Sequence, residues 1–203
     1  MADVGEKLTW LVTGSSNGIG LALVRYLLTT GDNVIATSRN PARTPELVKE
    51  VESHPNGKWM TIDISWSQDK IDQAIKEADT LFEGGITALV NNAAVGTAGA
   101  VEDVPEADAK SAFDINVWGT VRVCKAILPI MRQRNRGTLV QISSVLGLAV
   151  SPAYGIYCAS KFALEGERDP APYPLFVSLG PSGTGTASNQ AIQKKQSRLY
   201  MML

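Results

Sequence analysis

The sequence predicts a single-domain α/β fold, in which helices cover both faces of a doubly wound parallel sheet. Short apolar runs alternate with amphipathic segments over most of the chain, which is typical of βαβ units. One run, "ITALVNN", is strongly apolar up to its two asparagines, as expected for a strand buried on both faces. The 203 residues are 44% hydrophobic, which is enough for one core.

The first strand is expected at 8–14, where "LTWLVTG" is apolar. A helix follows at 18–30, because its apolar residues recur at helical spacing and Gly31 can end it. The second strand, "NVIATS", is predicted at 33–38. The next helix should begin with Thr44 as its N-cap, since a proline in the first turn follows it.

The pattern continues with a third strand at 58–63 and a helix capped by Ser67. The fourth strand is expected at 86–92. A long helical stretch then runs from about 105 to 134, and the fifth strand, "GTLVQIS", is predicted at 137–143.

The end of the chain has a different composition. A helix is expected up to Gly166, but prolines alternate with small residues beyond it, which no helix tolerates. The last 34 residues carry three basic and no acidic side chains, whereas the rest of the chain is acidic overall. We therefore expect a folded domain at 1–166 and a divergent, flexible tail at 167–203, in which only 175–179 has the character of a strand.

Charge and composition argue against several classes of protein. The net charge of −1 gives no basic surface for nucleic acid or for a membrane. Two cysteines and one histidine lack the spacing of a metal site or of a Ser/His/Asp triad. No signal peptide or membrane-spanning run is apparent, so a cytoplasmic location is expected.

A glycine-rich loop, "TGSSNGIG" at 13–20, joins the first strand to its helix. Gly14, Gly18 and Gly20 would let the backbone approach a pyrophosphate, which the helix N-terminus attracts. The spacing differs from the common G-x-G-x2-G fingerprint. A glycine-rich turn that binds nothing is the alternative.

Polar residues at the ends of the next strands extend this prediction. Ser38 and Arg39 occupy the position where a carboxylate would favour NAD, and a guanidinium there suits the 2′-phosphate of NADP. An exposed arginine without a ligand is the alternative. Asp63 could accept from an adenine amino group or cap the next segment. The amides of Asn91 and Asn92 could touch the cofactor or tie their loop together.

A tyrosine and a lysine four residues apart are candidates for catalysis. Tyr157 and Lys161 share a helix face, so the ammonium would favour the phenolate form of the tyrosine. Ser144 follows the fifth strand at the same sheet edge, and Asn116 interrupts the long helix as a poor helix former. Taken alone, the spacing arises by chance in many chains, Ser144 could be an ordinary loop hydroxyl, and Asn116 an interior amide.

Together these residues resemble the short-chain dehydrogenase/reductase family over about 8–166. The glycine loop, "NNAA" (with Ala94 where glycine is usual) and "YCASK" match its motifs, and Ser144 lies thirteen residues before Tyr157. The resemblance implies a Rossmann-type fold and a catalytic tetrad of Asn116, Ser144, Tyr157 and Lys161. The residues it implies for cofactor binding are Gly14, Ser16, Gly18, Ile19, Gly20, Ser38, Arg39, Asp63 and Asn91, together with Tyr157 and Lys161.

The resemblance also implies a function, which is NADP(H)-dependent reduction of a ketone or aldehyde, or oxidation of a secondary alcohol. Tyr157 would exchange the proton, Ser144 would orient the substrate oxygen, and Asn116 would hold a water for a relay to Lys161. It further implies a homo-oligomer formed through the helices that carry Asn116 and Tyr157.

The chain departs from the family after its catalytic helix. Only 42 residues follow Lys161, and the family's sixth strand ending in Pro-Gly is not recognisable among them. We therefore expect the C-terminal strands to be missing or replaced, as an altered translation of the gene would produce. The alternative function is a truncated, inactive relative that only binds nucleotide or associates with other subunits.

Overall fold

Six parallel strands form one sheet in the order β3-β2-β1-β4-β5-β6. The structure is a computed structural model that describes residues 7–166 and the backbone of residues 175–179. The strands are β1 Thr9–Val12, β2 Asn33–Ser38, β3 Gly57–Thr61, β4 Ala88–Asn91, β5 Thr138–Ile142 and β6 Leu175–Leu179. The strand order reverses at β1, which has β2 on one side and β4 on the other. In open sheets of this kind, ligands bind outside the carboxyl ends of the strands at such a reversal.

Helices connect the strands and cover both faces of the sheet. The helices are α1 Gly18–Thr29, α2 Pro45–Glu52, α3 Gln68–Asp79, α4 Glu106–Phe113, α5 Thr120–Gln133 and α6 Gly155–Gly166. Short 3-10 turns lie at Pro41–Arg43 and Val145–Gly147. Among these described helices, none is both long and apolar enough to cross a bilayer.

The side chains of the central strand alternate between two apolar layers. Trp10 and Val12 pack in one cluster with α1 and α2, and Leu11 packs in the other with α3 and α5. All three are at most 3% exposed. This two-sided burial explains why the strands are apolar almost throughout, and it confirms the predicted doubly wound α/β fold.

The long helical stretch predicted near 105–134 is confirmed in extent but contains an irregularity. Between α4 and α5, the residues Asp114–Gly119 form a π-helical turn. Asn116 lies within this turn and is 1% exposed. Such turns are rare and occur often at functional sites, so the poor helix former marks a real change in backbone geometry.

The two predicted N-caps occupy the right positions but do not bond as expected. Thr44 and Ser67 precede α2 and α3, and neither side chain caps its helix. The Thr44 hydroxyl is buried and has no hydrogen-bond partner within the described part of the chain. The prediction of helix position therefore holds, whereas the predicted capping bonds are wrong.

The segment at 175–179 forms β6, which pairs in parallel with β5 from Thr138↔Leu175 to Ile142↔Leu179. The strand predicted there is confirmed, and it supplies the sixth position that we expected to be empty or replaced. Predictions about 167–174 and 180–203 lie outside the described residues, so the domain boundary at 166 stays a prediction.

Candidate functional site

A cleft of about 360 Å³ lies at the carboxyl ends of the strands, where the strand order reverses. Its volume falls in the range of small-molecule sites. The predicted site residues that line it are Gly14, Ser16, Ile19, Ser38, Arg39, Asp63, Tyr157 and Lys161. The predicted site residues outside its lining are Gly18, Gly20, Asn91, Asn116 and Ser144. Eight of the thirteen predicted site residues therefore lie in the wall of one cleft.

The glycine loop lines this cleft where β1 ends, and its backbone packs tightly. Gly14 has a φ of 68°, and a Cβ there would come within 2.8 Å of the Cα of Ala93. A Cβ on Gly20 would collide with the carbonyl oxygen of Gly14. These two glycines let the start of α1 approach the loop. The N–H groups at the start of α1 can therefore face an anion bound in the cleft.

Asn92 holds this loop to the end of β4. Its Nδ2 donates to the carbonyl oxygens of Thr13 and Gly14 at 2.9 and 3.0 Å, and its backbone N–H donates to the Thr13 hydroxyl at 3.0 Å. The side chain of Asn91 instead donates to the Sγ of Cys124 at 3.3 Å. Of the two asparagines, Asn92 ties the loop together and lines the cleft, and the side chain of Asn91 is engaged elsewhere.

Ser38, Arg39 and Asp63 form the side of the cleft where β2 and β3 end. The Ser38 hydroxyl accepts from the indole N–H of Trp59 at 3.1 Å, so its own proton remains available as a donor. Arg39 is exposed and lines the cleft. One carboxylate oxygen of Asp63 accepts from the N–H and the hydroxyl of Ser65, at 3.0 and 2.7 Å. Asp63 thus closes its own turn while it lines the cleft.

The predicted tyrosine and lysine lie together in the cleft wall on the side where β5 ends. The Nζ of Lys161 is 5.8 Å from the centre of the Tyr157 ring, and both residues line the cleft. Lys161 is only 3% exposed, and its ammonium donates to the carbonyl oxygen of Ile142 at 3.0 Å. Burial lowers the pKa of Lys161 to about 8, although nearby Glu165 acts in the opposite direction. The Lys161 ammonium is therefore a partly desolvated cation beside the phenol of Tyr157.

Two adjacent serines follow β5, and they face different surroundings. The Oγ of Ser144 accepts from the backbone N–H of Leu146 at 3.1 Å and so caps the short 3-10 turn. Ser143 lines the cleft, and its Oγ is buried without a hydrogen-bond partner in the described part of the chain. The sequence analysis named Ser144 and did not name Ser143. The "SS" pair was the available signal, but it does not say which member faces the cleft.

Asn116 is buried beside the cleft rather than in its wall. Its Oδ1 accepts from the backbone N–H of Val95 at 2.8 Å, and its Nδ2 donates to the Val95 carbonyl oxygen at 2.9 Å. The same Nδ2 donates to the hydroxyl of Ser160 at 3.0 Å. Both hydrogens of this amide are therefore used within the protein, and the side chain has none left for a relay water. Ser160 and Val95 are further residues that the sequence analysis missed.

Comparisons with known proteins agree with this geometry. The family model described as short chain dehydrogenase matches residues 9–168. "Oxidoreductase BOA17" of Botryotinia fuckeliana is 36% identical over 160 residues, which are 77% of this chain and 56% of that protein.

Solved structures give the same result. A crystal structure described as a short-chain dehydrogenase from Streptomyces avermitilis has a TM-score of 0.72 and 32% identity, over 79% of this chain and 58% of that one. The structure titled "ElxO with NADP Bound" has a TM-score of 0.71 and 27% identity, over 79% of this chain and 65% of that one.

The chain thus spans a little over half the length of the first of these relatives. The family match nevertheless covers the glycine loop, the strand ends and the tyrosine–lysine pair that form the cleft. We conclude that the chain belongs to the short chain dehydrogenase family of oxidoreductases, whose members use NAD(P)(H).

Proposed function

We propose that this chain is an NADP(H)-dependent oxidoreductase that reduces a ketone or an aldehyde, or oxidises a secondary alcohol in the reverse direction. The observation that carries the proposal is the buried Lys161 beside Tyr157, in the wall of the cleft that the glycine loop also lines. A phenol, an ammonium and a helix N-terminus in one cleft suit a nucleotide cofactor and a proton transfer.

The chemistry of the cleft residues fits a dinucleotide. The close approach at Gly14 and Gly20 brings backbone N–H groups to the position where a pyrophosphate would bind. The Arg39 guanidinium and the Ser38 hydroxyl, which can still donate its hydrogen, suit a 2′-phosphate. The Asp63 carboxylate suits an adenine amino group. The similar structure of ElxO has NADP bound, which supports NADP(H) as the cofactor of this chain.

When bound, NADPH supplies the hydride that the carbonyl carbon accepts. Tyr157 gives its phenolic proton to the carbonyl oxygen, so that the products are an alcohol and a tyrosinate. Lys161 stabilises the tyrosinate by its charge, from a position held by the Ile142 carbonyl. As the family resemblance implies, we assign Ser144 to orient the substrate oxygen: it adjoins the cleft-lining Ser143, and its hydroxyl accepts one bond from Leu146 and keeps its proton to donate.

Asn116 takes a different role from the one that the resemblance implied. Because its amide hydrogens are bound to Val95 and Ser160, we propose that it fixes the wall of the site and does not carry a water with its side chain. The homo-oligomer and the cytoplasmic location stay predictions. Trp118 and Phe162, which are 56% and 44% exposed, lie on the helical elements through which the oligomer is expected to form.

Turnover by the purified chain tests the proposal. We expect a panel of ketones and aldehydes to drive the oxidation of NADPH, followed by the loss of absorbance of the reduced nicotinamide. NADH should support the same reaction at least about tenfold less well, because it lacks the phosphate that Arg39 would bind. Tight binding of NADPH without turnover on any carbonyl would contradict the proposal and support the nucleotide-binding alternative.

A further inference from the structure

Ser160 is a buried polar residue to which the proposed chemistry assigns no step. It is 0% exposed and does not line the cleft, although it lies on α6 between Tyr157 and Lys161. Its hydroxyl donates to the backbone carbonyl oxygen of Tyr157 at 2.7 Å. It also accepts from the Nδ2 of Asn116 at 3.0 Å. A hydroxyl has one proton to donate, and this one is committed to the tyrosine's own backbone.

Asn116, which donates to Ser160, also contacts a residue that lines the cleft. Asn116 bonds both backbone polar groups of Val95, as a donor at 2.9 Å and as an acceptor at 2.8 Å. Val95 lines the cleft in the loop after β4. An unbroken series of hydrogen bonds therefore runs from the cleft-lining loop at Val95, through Asn116 and Ser160, to the backbone of Tyr157.

The backbone around Asn116 is shaped to make these contacts. Asn116 lies in the π-helical turn Asp114–Gly119, against which α6 packs. Its own carbonyl oxygen accepts from the Thr120 hydroxyl at 3.2 Å. A π-helical turn is rare, and its wider backbone geometry depends on the contacts that surround it. The contacts with Val95 and Ser160 are such a set.

We propose that Ser160 is a positioning residue, which fixes the turn of α6 carrying Tyr157 and Lys161 relative to the cleft-lining loop at Val95. In a helix the carbonyl of residue i belongs to the same turn as the N–H of residue i+4, so the Tyr157 carbonyl belongs to the turn that ends at Lys161. Ser160 contacts neither substrate nor cofactor and acts through that turn. The effect of Ser160 on kcat rests on the proposed function, whereas its contacts with Asn116 and Tyr157 do not.

Replacing Ser160 should slow the chemical step without weakening binding. Ser160→Ala leaves one hydrogen of the Asn116 amide buried and unsatisfied, and it frees the tyrosine turn from the loop. A displacement well below 1 Å at a reacting group is enough to reduce kcat by about tenfold. We expect that loss of kcat, with the KM values for NADPH and for the carbonyl changed by less than about twofold.

Cys158→Ala is the matched control. Cys158 is buried on the same helix, at 2% exposed, so its truncation also removes one heavy atom from the interior. That variant should keep the wild-type kcat. Asn116→Ala should not lose more activity when Ser160→Ala is added, because the two side chains act in series. Equal kcat losses in Ser160→Ala and Cys158→Ala, or additive losses in the double variant, would overturn the inference.

Hydrogen exchange of the cofactor-free protein tests the same contact without turnover. The Val95 amide proton is bound to Asn116, so it should exchange faster in Ser160→Ala than in the wild type and remain unchanged in Cys158→Ala. If no carbonyl drives turnover, the proposed function fails, and faster exchange still supports the positioning contact. If the wild type turns over but Val95 exchange and kcat are unaffected in Ser160→Ala, the inference alone fails.

Discussion

Replacing Lys161 by methionine should change how the stability of the protein depends on pH. Burial lowers the pKa of this lysine from 10.5 to about 8 in the folded protein. The folded state therefore binds fewer protons than the unfolded state between these two values, and stability must rise with pH across that window. Below about pH 8 both states hold the proton, and the full penalty of burying the ammonium is present.

The size of the effect follows from the difference between the two pKa values. At about 1.4 kcal/mol for each pKa unit, the buried charge reduces the free energy of unfolding by about 3 kcal/mol at neutral pH. About 2 kcal/mol of this penalty should disappear between about pH 7 and about pH 9.5. Methionine has no proton to lose, so Lys161→Met should lack that rise.

Urea unfolding at a series of pH values, followed by tryptophan fluorescence, measures this difference. The wild type should gain about 2 kcal/mol relative to Lys161→Met over that range. Lys125→Met serves as the control, since Lys125 is exposed on α5 and its loss should leave the wild-type pH dependence intact. A constant difference between the wild type and Lys161→Met would refute the argument that burial disfavours this ammonium.

Two further substitutions test the cofactor side of the cleft. Gly20→Ala should reduce the free energy of unfolding by about 1–3 kcal/mol in urea titrations, because its Cβ would collide with the Gly14 carbonyl. The control is Gly96→Ala, which should be about as stable as the wild type because nothing lies within 4 Å of its Cβ. Arg39→Ala should lower kcat/KM for NADPH by about tenfold or more and leave that for NADH unchanged, since only NADPH carries the 2′-phosphate. Arg43→Ala, at an exposed arginine outside the cleft lining, should alter neither, and an equal loss with both cofactors in Arg39→Ala would exclude a phosphate contact.

The strands and most helices were predictable because burial on two faces leaves a strong pattern in the sequence. The second strand was predicted at 33–38 and the structure has it there, and the fifth differs from its predicted range by one residue at each end. The π-helical turn was not predictable. It depends on contacts between Asn116 and two residues that are distant in sequence, Val95 and Ser160.

Many of the residues that line the cleft were predictable from the sequence, but their side-chain directions were not. Successive residues at the end of a strand point to opposite faces, so the sequence pairs "NN" and "SS" could each place either member at the cleft. The structure directs the Asn91 side chain toward Cys124 and brings Asn92 and Ser143 to the cleft. Tyr157 and Lys161 were easier to predict, because their spacing alone puts them on one face of a helix.

The phenol of Tyr157 is the group on which the proposed reaction depends, and its removal is the most direct test. Single-turnover oxidation of NADPH by a carbonyl should be at least about a hundredfold slower in Tyr157→Phe, because the variant has no proton to give. Tyr154→Phe, three residues earlier and outside the cleft lining, should react at the wild-type rate. Retention of wild-type turnover by Tyr157→Phe would contradict the account.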